Sequence, residues 1–588
     1  MFHVKTTRLP EALHKLAENA VQMRRIAHIV LILLVCPAAH AQGQSGIEAI
    51  MALAGVSDED SLDADEVERL GELLQSPLPI NMASAARLEE SGLFTRYQIA
   101  SLTDYLTRHG DILSVRELAA VDGFGDSRAR LLAPFISFDS RKLPGAKNGN
   151  QLKLFNSIAA RTALKSVGKG EERNVTWNYG MKYRIEAGDF LQASFSLNRS
   201  YAAPSPAPEL YSGNIIWYFR KIRGKLIAGD FNARFGQGLA LWNGMFMTSL
   251  DTPDAFMKKP SGISGTWSFT GTSAIRGIAA DFQIGRFAIS ALTAHPGVAA
   301  LNSSWHGRYG HVSLTSRLDA SLEPGAFRLS EAVTSIDAAF CLKGVNVFGE
   351  VAWYWSAKHA AAVLGTDFRA GEYLRMAALL RSIDASRYGG AISGKLNTRS
   401  HEFVFAAESD YYSKGKPSPT GEGLQIKCNL NWKYEASSGF FLKVRFSERV
   451  RSWGPMFRTD LRTDVGYSAG PFSVQARLDV LKCVRPAALC YLEGGYKDDR
   501  CSVYLRQGAF LIDNWEDRIY VYERDAPGSF NVPAFYGRGL WSSLAGGCRF
   551  GKIARLYARA SYICYPFMDE QKKKPGKAEL KLQCVFRF

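Results

Sequence analysis

KAELKLQCVFRF, Lys577 to Phe588, ends the chain. Counted back from the end, Phe588, Phe586, Cys584, Leu582 and Leu580 fall on one parity, and Arg587, Gln583, Lys581 and Glu579 fall on the other, broken only by Val585. A strand sends alternate side chains to opposite faces, so one face stays apolar to the last residue while the other is charged. A terminal strand in a soluble sheet tends to fray and end polar, whereas a strand that closes a membrane barrel keeps its outer face apolar throughout. The pattern predicts a closing barrel strand, with Phe586 and Phe588 as the signal for assembly.

The same alternation recurs from Gln151 onward, with turns of Gly, Asn, Asp and Ser roughly every ten to fifteen residues. In IKCNLNWKY, Ile426, Cys428, Leu430, Trp432 and Tyr434 oppose Lys427, Asn429, Asn431 and Lys433; FFLKVRFS and FSVQARLDV follow the same rule. On the order of 20 to 24 such segments are expected, an even number for a bacterial outer-membrane barrel. A soluble propeller or stacked sandwich also alternates. It does not explain the apolar end together with an export signal and a load of 34 Phe, 24 Tyr and 11 Trp. The expected fold is mainly β: a large antiparallel transmembrane β-barrel carrying a small all-α N-terminal domain.

The export signal is MRRIAHIVLILLVCPAAHAQG, from Met23. Its apolar run is too short for a membrane helix, which needs ~20 residues, and it has the charged, apolar and A-x-A parts of a cleavable signal. Met23 is the expected true start. The expected divisions are a signal at 1–41, an acidic helical lead-in at 42–76, a tandem hairpin domain at 77–138, a linker at 139–150 and the barrel at 151–588.

Charge divides along the same lines. The net +16 splits into about +3 over 1–41, about −9 over 42–138 and about +22 from Asp139 onward. Lys427, Lys433, Lys443, Arg445, Arg477, Arg555, Arg559 and Arg587 lie opposite the apolar faces and are expected to point into the lumen. A positive lumen focuses its field to favour anions; the alternative is an ordinary polar interior, with loop charges paired with lipopolysaccharide or with Glu and Asp across the wall.

Two copies of one plan, helix, tight turn and helix, occupy 77–138. The second copy opens with Ser114 and Glu117 at capping-box spacing and turns at Gly123-Phe124-Gly125, where glycine permits the backbone angles of a tight hairpin. This pair resembles the tandem helix-hairpin-helix domain of competence-type and DNA-repair proteins; the first copy, Ser91-Gly92-Leu93-Phe94, lacks the second glycine. A helix start after such a turn offers free N–H groups to a phosphate, with Arg128 and Arg130 in reach. Asp122 and Asp126 oppose it, and DNA affinity comes mainly from neutralised phosphates. Protein contact or a plug is therefore the expected role, with DNA the alternative.

No H-E-x-x-H or Walker loop appears, and no cofactor or metal is expected. WHGRYGH, with His306 and His311, is the one place where hydrolase chemistry would be sought. Of nine cysteines, Cys36 leaves with the signal, and the other eight read as small apolar side chains on a lipid-facing wall, with disulfides open to an exported protein.

The stretches AGDFNARFGQGLALWNG, Ala228 to Gly244, and RIYVYERDAPGSFNVPAFYGRG, Arg518 to Gly539, resemble a family of Bacteroidota proteins that join an N-terminal helix-hairpin-helix domain to a C-terminal β-structured region. The resemblance implies an architecture more than an activity. The expected function is a channel or transport component of the outer membrane, with the helical domain as plug, gate or docking module. DNA uptake and a scaffold without transport are the alternatives. Expected partners are membrane lipid and lipopolysaccharide, the outer-membrane assembly machinery and a periplasmic protein.

Overall fold

In the computed structural model, alternation from Leu154 onward produces 24 antiparallel wall strands among the described residues, closed into a barrel. The described residues are 46–588 apart from 58, 60, 61, 63, the segment 141–153 and short loop segments, the longest being 244–249, 414–421 and 569–573. The expected signal at 1–41 and most of the expected linker lie outside them. Wall strands run from 9 to 17 residues, enough for the ~9–11 tilted residues that cross a bilayer. The last strand, Gly576–Arg587, pairs with the first, Leu154–Lys169, placing Lys581 opposite Ala163. Phe588 completes the seam: its N–H donates to the Asn156 carbonyl at 3.0 Å, and its carbonyl accepts from the Asn156 N–H at 2.7 Å. Closure leaves no unpaired edge.

One parity of the wall faces outward and is apolar around the barrel. Leu430 is 55% exposed there, together with Leu301, Ile336, Leu364, Leu478 and Leu580. In water such a surface would drive aggregation; in hydrocarbon it is matched. The chain is an outer-membrane β-barrel. The other parity is polar and turned inward, where Asp337, Glu350, Asp367, Asp479 and Glu493 are buried.

Connections longer than five residues, at 200–209, 235–274, 413–422, 513–536 and 565–575, all leave one rim, while the other rim has turns of two to four residues and both ends of the wall. Outer-membrane barrels keep short turns in the periplasm and long loops outside, so the helical segment enters from the periplasmic side.

Among the described residues that segment holds six α-helices: α1 (Gly46–Ala54), α2 (Ala64–Gln75), α3 (Ala85–Glu90), α4 (Arg96–His109), α5 (Val115–Ala120) and α6 (Gly125–Leu132). Its core joins Ile80, Leu88, Phe94, Leu102, Ile112, Leu118, Leu132 and Phe135, all nearly or fully buried. The full capping box falls on the first hairpin, where Thr95 and Gln98 exchange side-chain and backbone bonds at 3.2 and 3.0 Å. At the expected box, Ser114 accepts from the Glu117 N–H, but the Glu117 carboxylate takes the N–H of Leu113. The two long loops 235–274 and 513–536 fold inward and meet these helices. Thr252 donates to the Gly55 carbonyl at 2.8 Å, and Phe530 packs on the helical core.

Candidate functional site

The site is the contact between acidic helices and a basic wall. The strands 172–187, 223–234, 275–284, 440–451 and 472–482 each place a charged side chain on the lumenal parity against a helical residue of opposite sign. Lys182 pairs with Glu68, and Lys225, 1% exposed, lies 3.5 Å from both Glu89 and Glu90. Arg234 meets Glu66 at 3.2 Å, Lys443 pairs with Glu48, and Arg477 meets Glu59 at 3.1 Å. The sign reverses twice: Arg96 of α4 reaches Asp281 at 2.6 Å, and Arg87 of α3 reaches Glu186 at 2.8 Å. Spread over opposite sides of the barrel, these contacts hold the helices inside the lumen.

Electrostatics differ from pair to pair. Burial pushes Glu59 and Glu66 upward, but Arg477 and Arg462 around the first, and Arg69 and Arg234 around the second, outweigh it and hold each carboxyl at about 2. Glu89 goes the other way. Burial and the neighbouring Asp281 carboxylate push it up to about 7 despite Lys225 and Arg96, since two acids there share the same cations.

A cavity of about 900 Å³ lies between α1, α6 and the wall, bounded by Lys443, Arg445, Arg462, Arg477 and Arg506 and reaching the periplasmic turn at Glu372 and Tyr373. Its size suits a small-molecule ligand, and its lining favours an anion.

Most of the basic residues predicted for the lumen have acidic or amide partners. Lys427 meets Asp251 of the inward loop at 3.3 Å, and Lys433 meets Glu435 at 2.5 Å. Arg445 pairs with Asp460 at 3.1 Å, Arg477 also with Asp464 at 2.6 Å, and Arg559 with Glu579 at 2.9 Å and with Glu523. Arg555 donates to Gln75 of α2 at 3.1 Å. Arg587 is half-buried on the same parity, and its backbone N–H donates to Ile553 at 2.8 Å. Phe586 and Phe588 face outward at the seam.

Around the hairpin turn, Gly123 and Gly125 have φ of +85° and +67°, while Phe124 is buried against Phe94. Arg128 is turned into the domain and donates to the Leu93 carbonyl at 2.7 Å. Arg130 is paired with Asp126 at 3.0 Å.

The wall histidines do form polar contacts. Ser304 lies 3.1 Å from His306, and His311 lies 3.0 Å from Asp337. Thr95 and Arg96 cover them, and the adjoining cavity is only about 20 Å³, room for about one water and none for a substrate.

Sequence reasoning missed how the inward loops wrap a wall acid and carry acids of their own. Gly236 and Gly238, both at positive φ, curl FGQGLA around Glu350, whose carboxylate accepts from the N–H groups of Gln237, Leu239 and Ala240 at 2.6, 3.0 and 3.3 Å. Asp517 caps the neighbouring turn by accepting from Cys483, Val484 and Arg485. The paired glycines of FGQGLA were the available signal.

No family model matches the chain, and no curated protein matches it. Among solved structures it is similar to Pseudomonas aeruginosa OpdO, with a TM-score of 0.29 and 11% identity over 74% of this chain and 97% of that one. It is also similar to the P pilus usher PapC translocation pore, at 0.36 and 9% over 74% and 99%. A third is the siderophore receptor PirA from Acinetobacter baumannii, at 0.40 and 7% over 74% and 81%.

Proposed function

We propose that the chain is a channel or transport component of the outer membrane whose helical domain plugs the lumen and serves as its gate, displaced by a periplasmic partner. The observation that carries this reading is the ring of ion pairs joining α1, α2, α3 and Glu59 of the α1–α2 connection to Lys443, Lys182, Arg234, Lys225 and Arg477 of the wall. Such pairs are weak sources of net stability, because desolvation offsets much of the attraction, yet breaking one partner is costly. A plug held this way is specific in position and releasable. The basic cavity open to the periplasmic rim supports an anionic cargo. DNA handling is less supported, since Arg128 is turned into the helical domain, where one nitrogen donates to Leu93, and Arg130 is paired with Asp126.

Ion flux from proteoliposomes tests the reading. Vesicles with the full chain should be tight, and those with Glu48→Lys combined with Glu59→Lys should leak chloride faster than potassium. Tight vesicles from a double variant whose barrel is folded, as judged by heat-modifiable gel migration, count against it.

A further inference from the structure

A second cavity, of about 420 Å³, lies on the other side of the helical domain. It is enclosed by α1, α2, the first hairpin turn, the inward loop at 237–242 and 250–259, and the wall strands 359–370 and 374–384. Its lining is divided. Leu53, Leu250, Met257, Val363 and Leu379 make an apolar body, and Arg128 of α6 and Lys259 of the loop bring positive charge to it.

These two cations are placed unlike those that join the helices to the wall. Lys182, Lys225, Arg234, Lys443 and Arg477 each have a helical carboxylate partner. Lys259 has a backbone acceptor instead, the carbonyl of Leu53 at 3.2 Å. Arg128 gives one nitrogen to Leu93, and its Nε and Nη1 are buried without a hydrogen-bond partner among the described residues. A buried guanidinium with two idle donors is costly. Arg387, at the far side of the same cavity, likewise has a buried Nε with no partner among the described residues.

We infer that this cavity binds a small organic anion, a carboxylate or phosphate monoester with an apolar body, whose charged end is held by Arg128 and Lys259. The volume lies in the range of small-molecule sites, which are mostly apolar with a few convergent polar groups. The charges around the pair point the same way. Burial and the Arg128 charge lower the affinity of Lys259 for its proton, Asp254 and Glu66 oppose that shift, and Arg375 adds to it. Burial likewise brings Arg128 down to about 10, with Asp254 opposing and Arg375 adding. An anion between the two cations relieves both. Because one cation is on the helical domain and the other on the loop from the outer rim, the ligand would bridge the two bodies that close the lumen. The inference goes beyond the gating reading and holds whether or not the lumen conducts.

Calorimetry on the full chain in detergent micelles tests it, with phenyl phosphate and benzoate as probes, inorganic phosphate as the anion without an apolar body, and benzyl alcohol as the neutral control. One site per chain is expected for at least one organic anion, with inorganic phosphate at least tenfold weaker and benzyl alcohol not bound. Lys259→Met should weaken the organic anion at least tenfold. Val363→Phe, which fills the cavity from the wall and leaves both cations in place, should do likewise and carries the test should Lys259→Met not fold. Absence of binding by both organic anions, equal binding of benzyl alcohol, or unchanged affinity in the folded variants overturns the inference.

Discussion

Arg477 of the wall and Glu59 of the helical segment form a two-pronged contact, Nη1 and Nη2 donating to the two carboxylate oxygens at 3.1 and 3.3 Å. The guanidinium is fixed from behind by Asp464 at 2.6 Å, so the fork is aimed before the helices dock. Planar, pre-oriented geometry of this kind gives a charged contact more specificity than a lysine would.

Glu59→Gln removes the charge and leaves the shape. Hydrogen bonds to charged groups contribute about 1.5–3 kcal/mol each, and Arg477 retains Asp464, so docking should weaken by roughly that amount while the wall stays folded. Limited proteolysis should cut within the helical segment faster, with the barrel band unchanged. Equal protection of variant and parent would show that this contact does not hold the helices.

The wall was legible in the sequence because a strand repeats every two residues and one of its faces must meet lipid. Leu430, Leu478 and Leu580 could be assigned to a face from parity alone. The contents of the lumen were not legible in this way. Glu68 meets Lys182 across more than a hundred residues, and Glu523, in a loop that has no period, meets Arg559, and no local pattern records such a pairing. The regional charges, acidic in front and basic behind, gave the sign of the contact without its partners. The two stretches from Ala228 and Arg518, singled out by their resemblance to a family, overlap the two loops that fold inward.

Glu89 makes the docking pH-dependent. Its folded carboxyl keeps its proton to about 7 against an ordinary value of 4.5, so the docked state is favoured while Glu89 is protonated. It loses that advantage as pH climbs from about 4.5 through about 7. Protection of the helical segment from protease should therefore fall between pH 5 and pH 8. Glu89→Gln, which stays neutral, should flatten that fall. An identical profile in the variant would assign the dependence to another group.

Leu430→Arg and Asn431→Arg place the same charge on opposite faces of the strand Gly423–Glu435. Leu430 faces lipid, and Asn431 lines the 900 Å³ cavity. Arginine near the bilayer midplane costs ~2–4 kcal/mol on the lipid face, so refolding yield should drop for the first and hold for the second. Equal yields contradict the assignment of faces.

The hairpin glycines are not equivalent. A Cβ on Gly123 would sit 2.6 Å from the Tyr97 ring, whereas one on Gly125 meets nothing within 4 Å. Both positions carry positive φ, which strains any other residue. Gly123→Ala should therefore lower the melting temperature of the helical segment more than Gly125→Ala, followed by hydrogen exchange of α4 and α6 in the full chain. The reverse order would mean that the turn does not pack on Tyr97.

Closure of the lumen by the helical domain is tested most directly by single-channel recording of the full chain and of a chain lacking 42–138, each first checked for a folded, heat-modifiable barrel. The full chain should stay closed at low voltage, and the shortened chain should conduct with a preference for anions, because Lys443, Arg477 and Lys225 lose their acidic partners. An open full chain, or a shortened chain that stays closed, contradicts a gating role for the helices.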